Sequence, residues 1–347
     1  MTAAPRLAIV VVTHDSASVL PDFLRSLRGG YGGLLEGAAK PTVIVVDNAS
    51  TDETLRLAHE IGEAEHLDVH LVALPVNGGY AAGVNAGVAA AGDVDAVLVA
   101  NPDVRFAPHA IERLWHALVS TPTSDAGRVG IVVPRIASAE GRLVPSLRRT
   151  PTLGRAFAEA VLGNIRASKL RLGEIITDPR AYRRPTVAAW ATGCAMLIDI
   201  RCLRAVGPWD ESFFLYSEET DFALRAGDAG WLLRLEPDAE IVHVGGESRI
   251  APALWALLTV NRVRLYRKRH GPSAAACFRA VVAAREALRA VLGRPTSRAA
   301  LRALVRGGDP REWLRKGNSP AATGRAAPTA SGAVTTSRGS NSAPPQA

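Results

Sequence analysis

Three things are scarce in this chain of 347 residues, and each scarcity excludes something. Cysteine occurs three times, as Cys194, Cys202 and Cys277. The number is odd and no Cys-x-x-Cys pair is present, which argues against a disulfide framework or a zinc ribbon and for reduced thiols in an intracellular setting. Long apolar runs are absent: none approaches the roughly 18 residues of a membrane-spanning helix. The first run, Leu7–Val12, is too short for a secretory leader and leads directly into a polar loop, so a chain without a leader is expected. A Gly-x-Gly-x-x-Gly fingerprint is missing after that run, which counts against a nicotinamide or flavin enzyme.

What is present is unevenly charged. Residues 249–316 hold 16 Lys/Arg against 3 Asp/Glu, hence +13, and residues 317–347 add two arginines. The whole chain is +8, which leaves −7 on residues 1–248. An acidic body with a basic arm suggests a surface that docks, and not a generally basic binder. Aromatics and base-reading motifs are sparse in the arm, which places nucleic acid last among its partners. Residues 317–347 are rich in Ser, Ala, Pro and Gly and read as a disordered tail.

The stretch Asp95–Arg105 organises the rest. Ala96–Val99 is a short apolar run bounded by Gly92-Asp93 and Asn101-Pro102, the pattern of a fully buried strand. Pro102 cannot continue the ladder, so Asp103 is delivered at the carboxyl end of that strand, where open α/β sheets place their ligands. A carboxylate there can bind a hard cation, although Asn-Pro-Asp is also a plain turn sequence.

Strand and helix patterns alternate before it. Leu7–Val12, Val43–Val46 and His70–Leu74 read as strands. Ser18–Leu27, a helix from a Ser50-Thr-Asp-Glu53 capping box to Ile61, and a small-residue helix from Asn77-Gly78-Gly79 to Ala91 lie between. This predicts an α/β fold around a mostly parallel sheet covered on both faces. The loops at Thr13–Ser16, Asp47–Ser50 and Asn77–Gly83 should therefore converge. Thr13 offers a hydroxyl and Asp47 can accept a pyrimidine ring N–H. Gly78, Gly79, Gly83 and Gly87 permit close backbone approach, to a ligand or simply between helix and strand.

Val-Val-Thr-His-Asp-Ser, Val-Val-Asp-Asn-Ala-Ser-Thr-Asp, Asn-Gly-Gly-Tyr-Ala-Ala-Gly-Val-Asn-Ala-Gly and Asn-Pro-Asp-Val resemble the motifs of family 2 glycosyltransferases, in order and spacing, over about residues 7–250. The resemblance implies the nucleotide-sugar-binding GT-A fold. It places Thr13, Asp15, Asp47, Asn48, Asn77, Gly78, Gly79, Gly83, Asn85 and Asn101 on the donor, and Asp103 as the second acid of a relaxed Asp-x-Asp motif for Mg²⁺ or Mn²⁺. Asp15 stands where many relatives have Asn. Processive members carry Gln-x-x-Arg-Trp; the one glutamine here is Gln346, so polymerisation is not expected.

On the acceptor side, Trp190-Ala-Thr-Gly193 and Trp209-Asp210-Glu211-Ser-Phe-Phe resemble the family's acceptor segments. Ser217 is a candidate N-cap, with Glu218 and Glu219 in the first helical turn and Asp221 placed to pair with Arg225. Acids there also stabilise the macrodipole of any helix. Inverting transfer needs one base and one cation. Glu219 is the expected base, with Glu218 and Asp221 beside it, because most relatives have Glu-Asp where this chain has Glu-Glu. A lone histidine in an apolar strand is more often structural, but His243, in Val-His-Val-Gly-Gly, matches a histidine that can complete the metal shell, and coming after this run it is read as a ligand.

Gly141-Arg-Leu-Val-Pro-Ser followed by Pro-Thr-Leu looks closest to actinobacterial rhamnosyltransferases that use dTDP-rhamnose on polyprenyl-diphosphate-linked glycans. The expected organisation is a donor half (1–105), an acceptor and catalytic half (106–250), a basic helical extension (251–316) and the tail. The expected partners are a dTDP- or UDP-sugar, a glycan or polyprenyl-linked acceptor, and an anionic membrane surface met through 251–316. That implies a cytoplasmic protein, peripheral at the inner face of the plasma membrane. Two alternatives stand beside these readings: a non-catalytic nucleotide-sugar-binding or scaffold protein, and an arm whose helices pack on the acidic body and neutralise it.

Overall fold

The structure, a computed structural model, describes residues 6–35, 40–120, 127–244 and 251–306. The strands are β1 (Leu7–Thr13), β2 (Thr42–Asp47), β3 (Asp68–Ala73), β4 (Ala96–Ala100), β5 (Val104–Phe106), β6 (Arg128–Ser138), β7 (Leu143–Val144), β8 (Leu147–Arg148), β9 (Thr186–Ala188), β10 (Trp190–Ala191), β11 (Ala195–Asp199) and β12 (Trp231–His243). The helices are α1 (Leu20–Tyr31), α2 (Thr54–Ala64), α3 (Tyr80–Ala90), α4 (Ala110–Ser120), α5 (Leu153–Leu162), α6 (Asn164–Lys169), α7 (Ile200–Val206), α8 (Glu218–Asp228), α9 (Pro252–Arg269), α10 (Pro272–Val291) and α11 (Pro295–Arg306). The main sheet runs β3-β2-β1-β4-β11-β6-β12-β5, parallel through its first four strands and mixed beyond. The tail and the end of the basic extension lie outside the described residues.

Every residue of β1 and β4 is buried. That is why these strands are continuously apolar and do not alternate: one face packs on α1 and α4 through Ile9, Val11, Leu98, Phe23 and Ile111, the other on α3 and α8 through Val10, Val97, Val84 and Phe222. Gly83 decides one open reading. A Cβ there would come within 2.4 Å of Val12 Cγ1, so this glycine exists to let α3 lie against β1 and does not face a ligand.

Two local expectations need correction. The Ser50–Glu53 capping box does not form: Ser50 bonds Asp47 instead, and Asp52 accepts from the Thr54 N–H (3.1 Å) and the Ala17 N–H (3.0 Å), tying α2 to the first loop. Ser217 precedes α8 but is left-handed (φ 77°), and its hydroxyl caps nothing.

Two pairings position the site. β11 runs antiparallel beside β4 with Ala195 opposite Ala100, so the Asn101 N–H donates to the Cys194 carbonyl (2.9 Å) and Gly193-Cys194 arrive at the edge that carries Asp103. β12 pairs antiparallel with β5, His243 opposite Val104. The C-terminal helices then close over the α8 end. The basic residues of α9 do so with their charges engaged. Arg262 pairs with Glu159 and Glu174, Lys268 with Asp210 and Asp221, and Arg269 with Asp228, each at 2.8 Å. Of the two expectations for the arm, packing against the acidic body is what α9 does.

Candidate active site

The donor loops meet at the carboxyl ends of β1 and β2 as their sequence requires. Asp47 is buried and already accepts from the Ser50 N–H (2.9 Å) and the Thr13 hydroxyl (3.2 Å), which fixes the turn after β2. Asp15, left-handed at φ 49°, accepts from the Thr51 N–H (2.7 Å). The Asn48 amide crosslinks β2 to the glycine loop: its Oδ1 accepts from the Gly78 N–H (3.0 Å) and its Nδ2 donates to the Gly79 carbonyl (2.9 Å). Asn77 Oδ1 accepts from the Gly79 N–H (3.0 Å). Gly79 itself sits at φ 91° with Phe214 where a Cβ would be, so no other residue fits that turn. The result is a rigid glycine floor at the N-terminus of α3 whose Gly78, Gly79 and Tyr80 N–H groups are already bonded, to Asn48, Asn77 and the Phe214 carbonyl. What this edge offers an anion is therefore the positive end of the helix dipole.

Asp103 and His243 are 140 residues apart in the chain and 3.1 Å apart in space, carboxylate Oδ2 to imidazole Nε2. The β5–β12 pairing makes this contact, because each residue ends the strand that its neighbour borders. The other oxygen, Oδ1, is buried and has no hydrogen-bond partner among the described residues. Burying an acceptor unsatisfied costs about 1–3 kcal/mol unless something takes the bond. A cation on Oδ1 would do so. No cluster of three or more His, Cys, Asp or Glu suited to a metal exists among the described residues, so a cation here would complete its shell with donor oxygens and water.

The acids of α8 separate by burial. Asp221 is fully buried and held by Arg225 and Lys268, both at 2.8 Å, so the expectation that it takes part in chemistry is corrected: it locks the helix. Glu218 and Glu219 each keep one carboxylate oxygen buried without a partner. Burial raises both above the ordinary carboxylate range, and their mutual repulsion adds to it for Glu218. Glu219 lines a cleft of about 360 Å³ between α8, Trp190, α9 and α10, whereas Glu218 does not. Gly193 makes room for it, since a Cβ there would be 3.1 Å from the Glu219 Cβ and Cγ.

Tyr80 and Cys194 sit within electrostatic reach of both Asp103 and Glu219, and their hydroxyl and thiol are pushed up chiefly by burial and further by those carboxylates. Gly193 touches Glu219 while its neighbour Cys194 accepts from Asn101, two residues before Asp103, so the two acids flank one stretch of backbone. Tyr80 lies within the Asn-Gly-Gly-Tyr motif and Cys194 directly follows Gly193, but neither was singled out from the sequence, and Arg148 carries no sequence signal. Arg148 lines the cleft beside Glu219, lies over the Trp190 ring (5.6 Å to the centroid), and is lowered by burial. Asn261 was also missed. It is fully buried on α9 and donates to the carbonyls of Phe213 (2.7 Å), Leu215 (2.9 Å) and Tyr216 (3.2 Å), the segment that leads into Glu218.

Four expected contacts turn out to be scaffold. Trp209 is buried, stacked on Phe222 (5.1 Å) and edge-on to Tyr80, so it does not face an acceptor. Asn85 clamps it by bonding both its carbonyl (3.0 Å) and its N–H (2.9 Å), and Glu211 holds Asn85 (2.9 Å). Asp210 is tied to Lys268. Trp190, in contrast, does line the cleft.

A parallel half-sheet with a glycine floor at its carboxyl edge, a carboxylate–imidazole pair and two buried carboxylates at the start of α8 together make a transferase architecture of the GT-A type. The profile of Glycosyl transferase family 2 matches residues 8–157. An N-acetylglucosaminyl-diphospho-decaprenol L-rhamnosyltransferase of Mycobacterium tuberculosis is 32% identical over 252 residues, covering 68% of this chain and 75% of that one. The mannosyltransferase PcManGT from Pyrobaculum calidifontis, solved with GDP-Man and Mn²⁺, superposes with a TM-score of 0.52 at 19% identity over 91% of this chain and 80% of its own. GalNAc-T7, solved with UDP, GalNAc and Mn²⁺, gives 0.53 at 15% identity over 75% of this chain and 49% of its own. The chain belongs to glycosyl transferase family 2 and is a glycosyltransferase. No helix among the described residues is long and apolar enough to cross a membrane.

Proposed function

We propose that the enzyme transfers rhamnose, with inversion, from dTDP-rhamnose to a sugar linked through diphosphate to a polyprenyl lipid. The similarity to the mycobacterial rhamnosyltransferase supports the sugar and the acceptor class. The observation that carries the mechanism is the placement of Glu219: raised by burial, open to a cleft, and packed on Gly193, whose neighbour Cys194 bonds the backbone leading to Asp103.

The donor diphosphate lies against the glycine floor before α3, and the base and ribose lie near Thr13, Asp15 and Asp47. Asp103 and His243 fit a divalent cation, Mg²⁺ or Mn²⁺, through the unpartnered Oδ1 and the imidazole. Bound there, it would neutralise charge on the departing diphosphate. The acceptor enters the cleft beside Trp190. As its hydroxyl oxygen bonds to the sugar C1, the C1–phosphate oxygen bond breaks and the hydroxyl proton passes to Glu219. A raised base is matched to this task, because it holds the proton more firmly once it has it. A protein acting on such an acceptor works at a membrane surface, peripheral and on the cytoplasmic side.

The test is a transfer assay with a GlcNAc-diphosphoprenyl acceptor, comparing dTDP-rhamnose with UDP- and GDP-sugars, with Mn²⁺ or with chelator. Transfer from dTDP-rhamnose that requires the cation is the expected result. Nucleotide sugars that raise the melting temperature without any turnover would support the non-catalytic reading instead.

A further inference from the structure

The segment from Arg149 to β9 carries a surface that lies apart from the donor loops and from the cleft that holds Glu219. Arg149, Lys169, Arg171, Arg180 and Arg184 line one groove of about 930 Å³ together with a single acid, Asp178. None of the five makes an ion pair with a carboxylate among the described residues. Arg149 donates only to the carbonyls of Gly173 and Ile175 (both 3.0 Å), and it is lowered first by burial and then by the positive charge of Arg155 and Arg171. This is uncompensated charge facing a concavity. On α9, by contrast, Arg262, Lys268 and Arg269 each meet a carboxylate.

The same segment exposes its large apolar side chains. Phe157, Val161, Ile165, Leu170 and Leu172 are between 51% and 71% exposed. Phe157 and Val161 are one turn apart on α5, and Val161 and Ile165 border a second groove with Leu288 of α10. At residues 169–172 the two characters interleave, Lys-Leu-Arg-Leu, so the cations of the groove and the apolar ridge are contiguous along the backbone. A nucleotide needs no such ridge, and no residue before 149 lines the groove, so it is apart from the donor loops. A plain bilayer face needs no concavity. A lipid with a compact, doubly charged head needs both.

We propose that this groove and ridge seat the acceptor's polyprenyl diphosphate, the diphosphate among the five cations and the prenyl chain along Phe157, Val161, Ile165, Leu170 and Leu172. Guanidinium groups bind phosphate oxygens in pairs and lose less entropy doing so than a lysine does. The site connects to the chemistry through one wall. Arg148 faces the cleft that holds Glu219, Arg149 faces the groove, and Ile175 and Ile176 divide in the same way. A sugar on the diphosphate would thus be presented from the groove side toward Glu219. This rests on the lipid-linked acceptor proposed above and adds where the lipid is held.

Binding of the full-length protein is measured by co-sedimentation with phosphatidylcholine vesicles that contain a long-chain polyprenyl diphosphate. Matched vesicles carry phosphatidylglycerol at equal charge, or the free polyprenol. The wild type should favour the diphosphate vesicles at least tenfold over both. A Lys169→Glu, Arg171→Glu, Arg180→Glu triple variant should lose tenfold or more of that binding. A Leu170→Ser, Leu172→Ser variant, made at exposed positions and neutral in charge, should lose it in part. Equal binding by the wild type and the triple variant overturns the site, as does equal binding to phosphatidylglycerol and diphosphate vesicles. The assay contains no donor. A wild type that captures diphosphate vesicles yet transfers no sugar would therefore fail the transferase reading and leave this site standing.

Discussion

Asn261 offers the sharpest test of how the base is held. The residues entering α8 are strained: Phe214, Tyr216 and Ser217 all sit at positive φ, 65°, 70° and 77°. Each such non-glycine residue costs about 1–2 kcal/mol. Asn261 Nδ2 holds that path through three carbonyls, and with two hydrogens it can make about two full bonds at a time. Asn261→Leu removes them and takes that donor from the Leu215 and Tyr216 carbonyls, while the Phe213 carbonyl keeps the Leu215 N–H, so the expected loss is about 2–4 kcal/mol. Unfolding entropy for a chain of this size is about 0.6–0.7 kcal/mol per kelvin, so the melting temperature should fall by roughly 3–7 °C. Because the released segment carries Glu218 and Glu219, kcat should fall at least tenfold while the donor KM stays within about twofold, a small misplacement of a catalytic group being that costly. The lower limb of the pH–rate profile should also move toward the ordinary carboxylate range as the base becomes hydrated. Thermal melts and steady-state kinetics on the one variant decide it. A kcat within twofold of the wild type despite the lowered melting temperature would reduce Asn261 to packing, and an unchanged melting temperature would remove the argument altogether.

Four further outcomes follow from the site. Asp103→Ala should abolish transfer and remove the effect of Mn²⁺ on nucleotide binding, followed by calorimetry; full turnover of that variant in chelator would refute the cation role. Glu219→Gln should cut kcat by about 10²–10⁴ with the donor KM nearly unchanged, and Glu218→Gln by much less. Because Glu218 is raised in the fold, the native state binds its proton more tightly than the unfolded chain does. Stability therefore falls as pH climbs from the ordinary value of 4.5 to about 8, and Glu218→Gln should flatten that fall in melts run across that interval. Asp210 is the opposite case. Burial would raise it, but the bonds from Lys268 and Ser212 hold it down at about 2. Its contribution is complete above its ordinary value of 3.8 and is lost as pH falls through about 2. Lys268→Met should lower the melting temperature at neutral pH and make its decline between pH 4 and 2 shallower; an unchanged acid limb would count against the pair.

The order of elements in the first hundred residues was legible because it rests on local rules. Continuous apolar runs such as Leu7–Val12 and Ala96–Val99 can only be strands buried on both faces, and Pro102 ends the second wherever it lies. Those rules also place Thr13, Asp47 and Asp103 on one edge, since parallel strands present the same end. Local rules failed where a side chain had a better distant partner. Asp52 turned to the first loop and not to a capping box, and Ser217 gave up its cap to a left-handed turn held from α9. They failed too for Trp209 and Asp221, whose motif positions say nothing of depth.

What only the tertiary structure decided is contact between residues far apart in the chain. The Asp103–His243 pair comes from the register of β5 on β12. That Glu219 and not Glu218 lines the cleft comes from which side of one helical turn faces it, and the cleft is walled by α9 and α10. The charge of the arm shows the same division. The count of basic residues was fixed by sequence, but the acids that α9 meets, Glu159, Glu174, Asp210 and Asp228, lie 41 to 103 residues away. A pattern with a period of two or 3.6 residues carries no information at such separations. They are set by which buried surfaces and charges the whole chain can satisfy together.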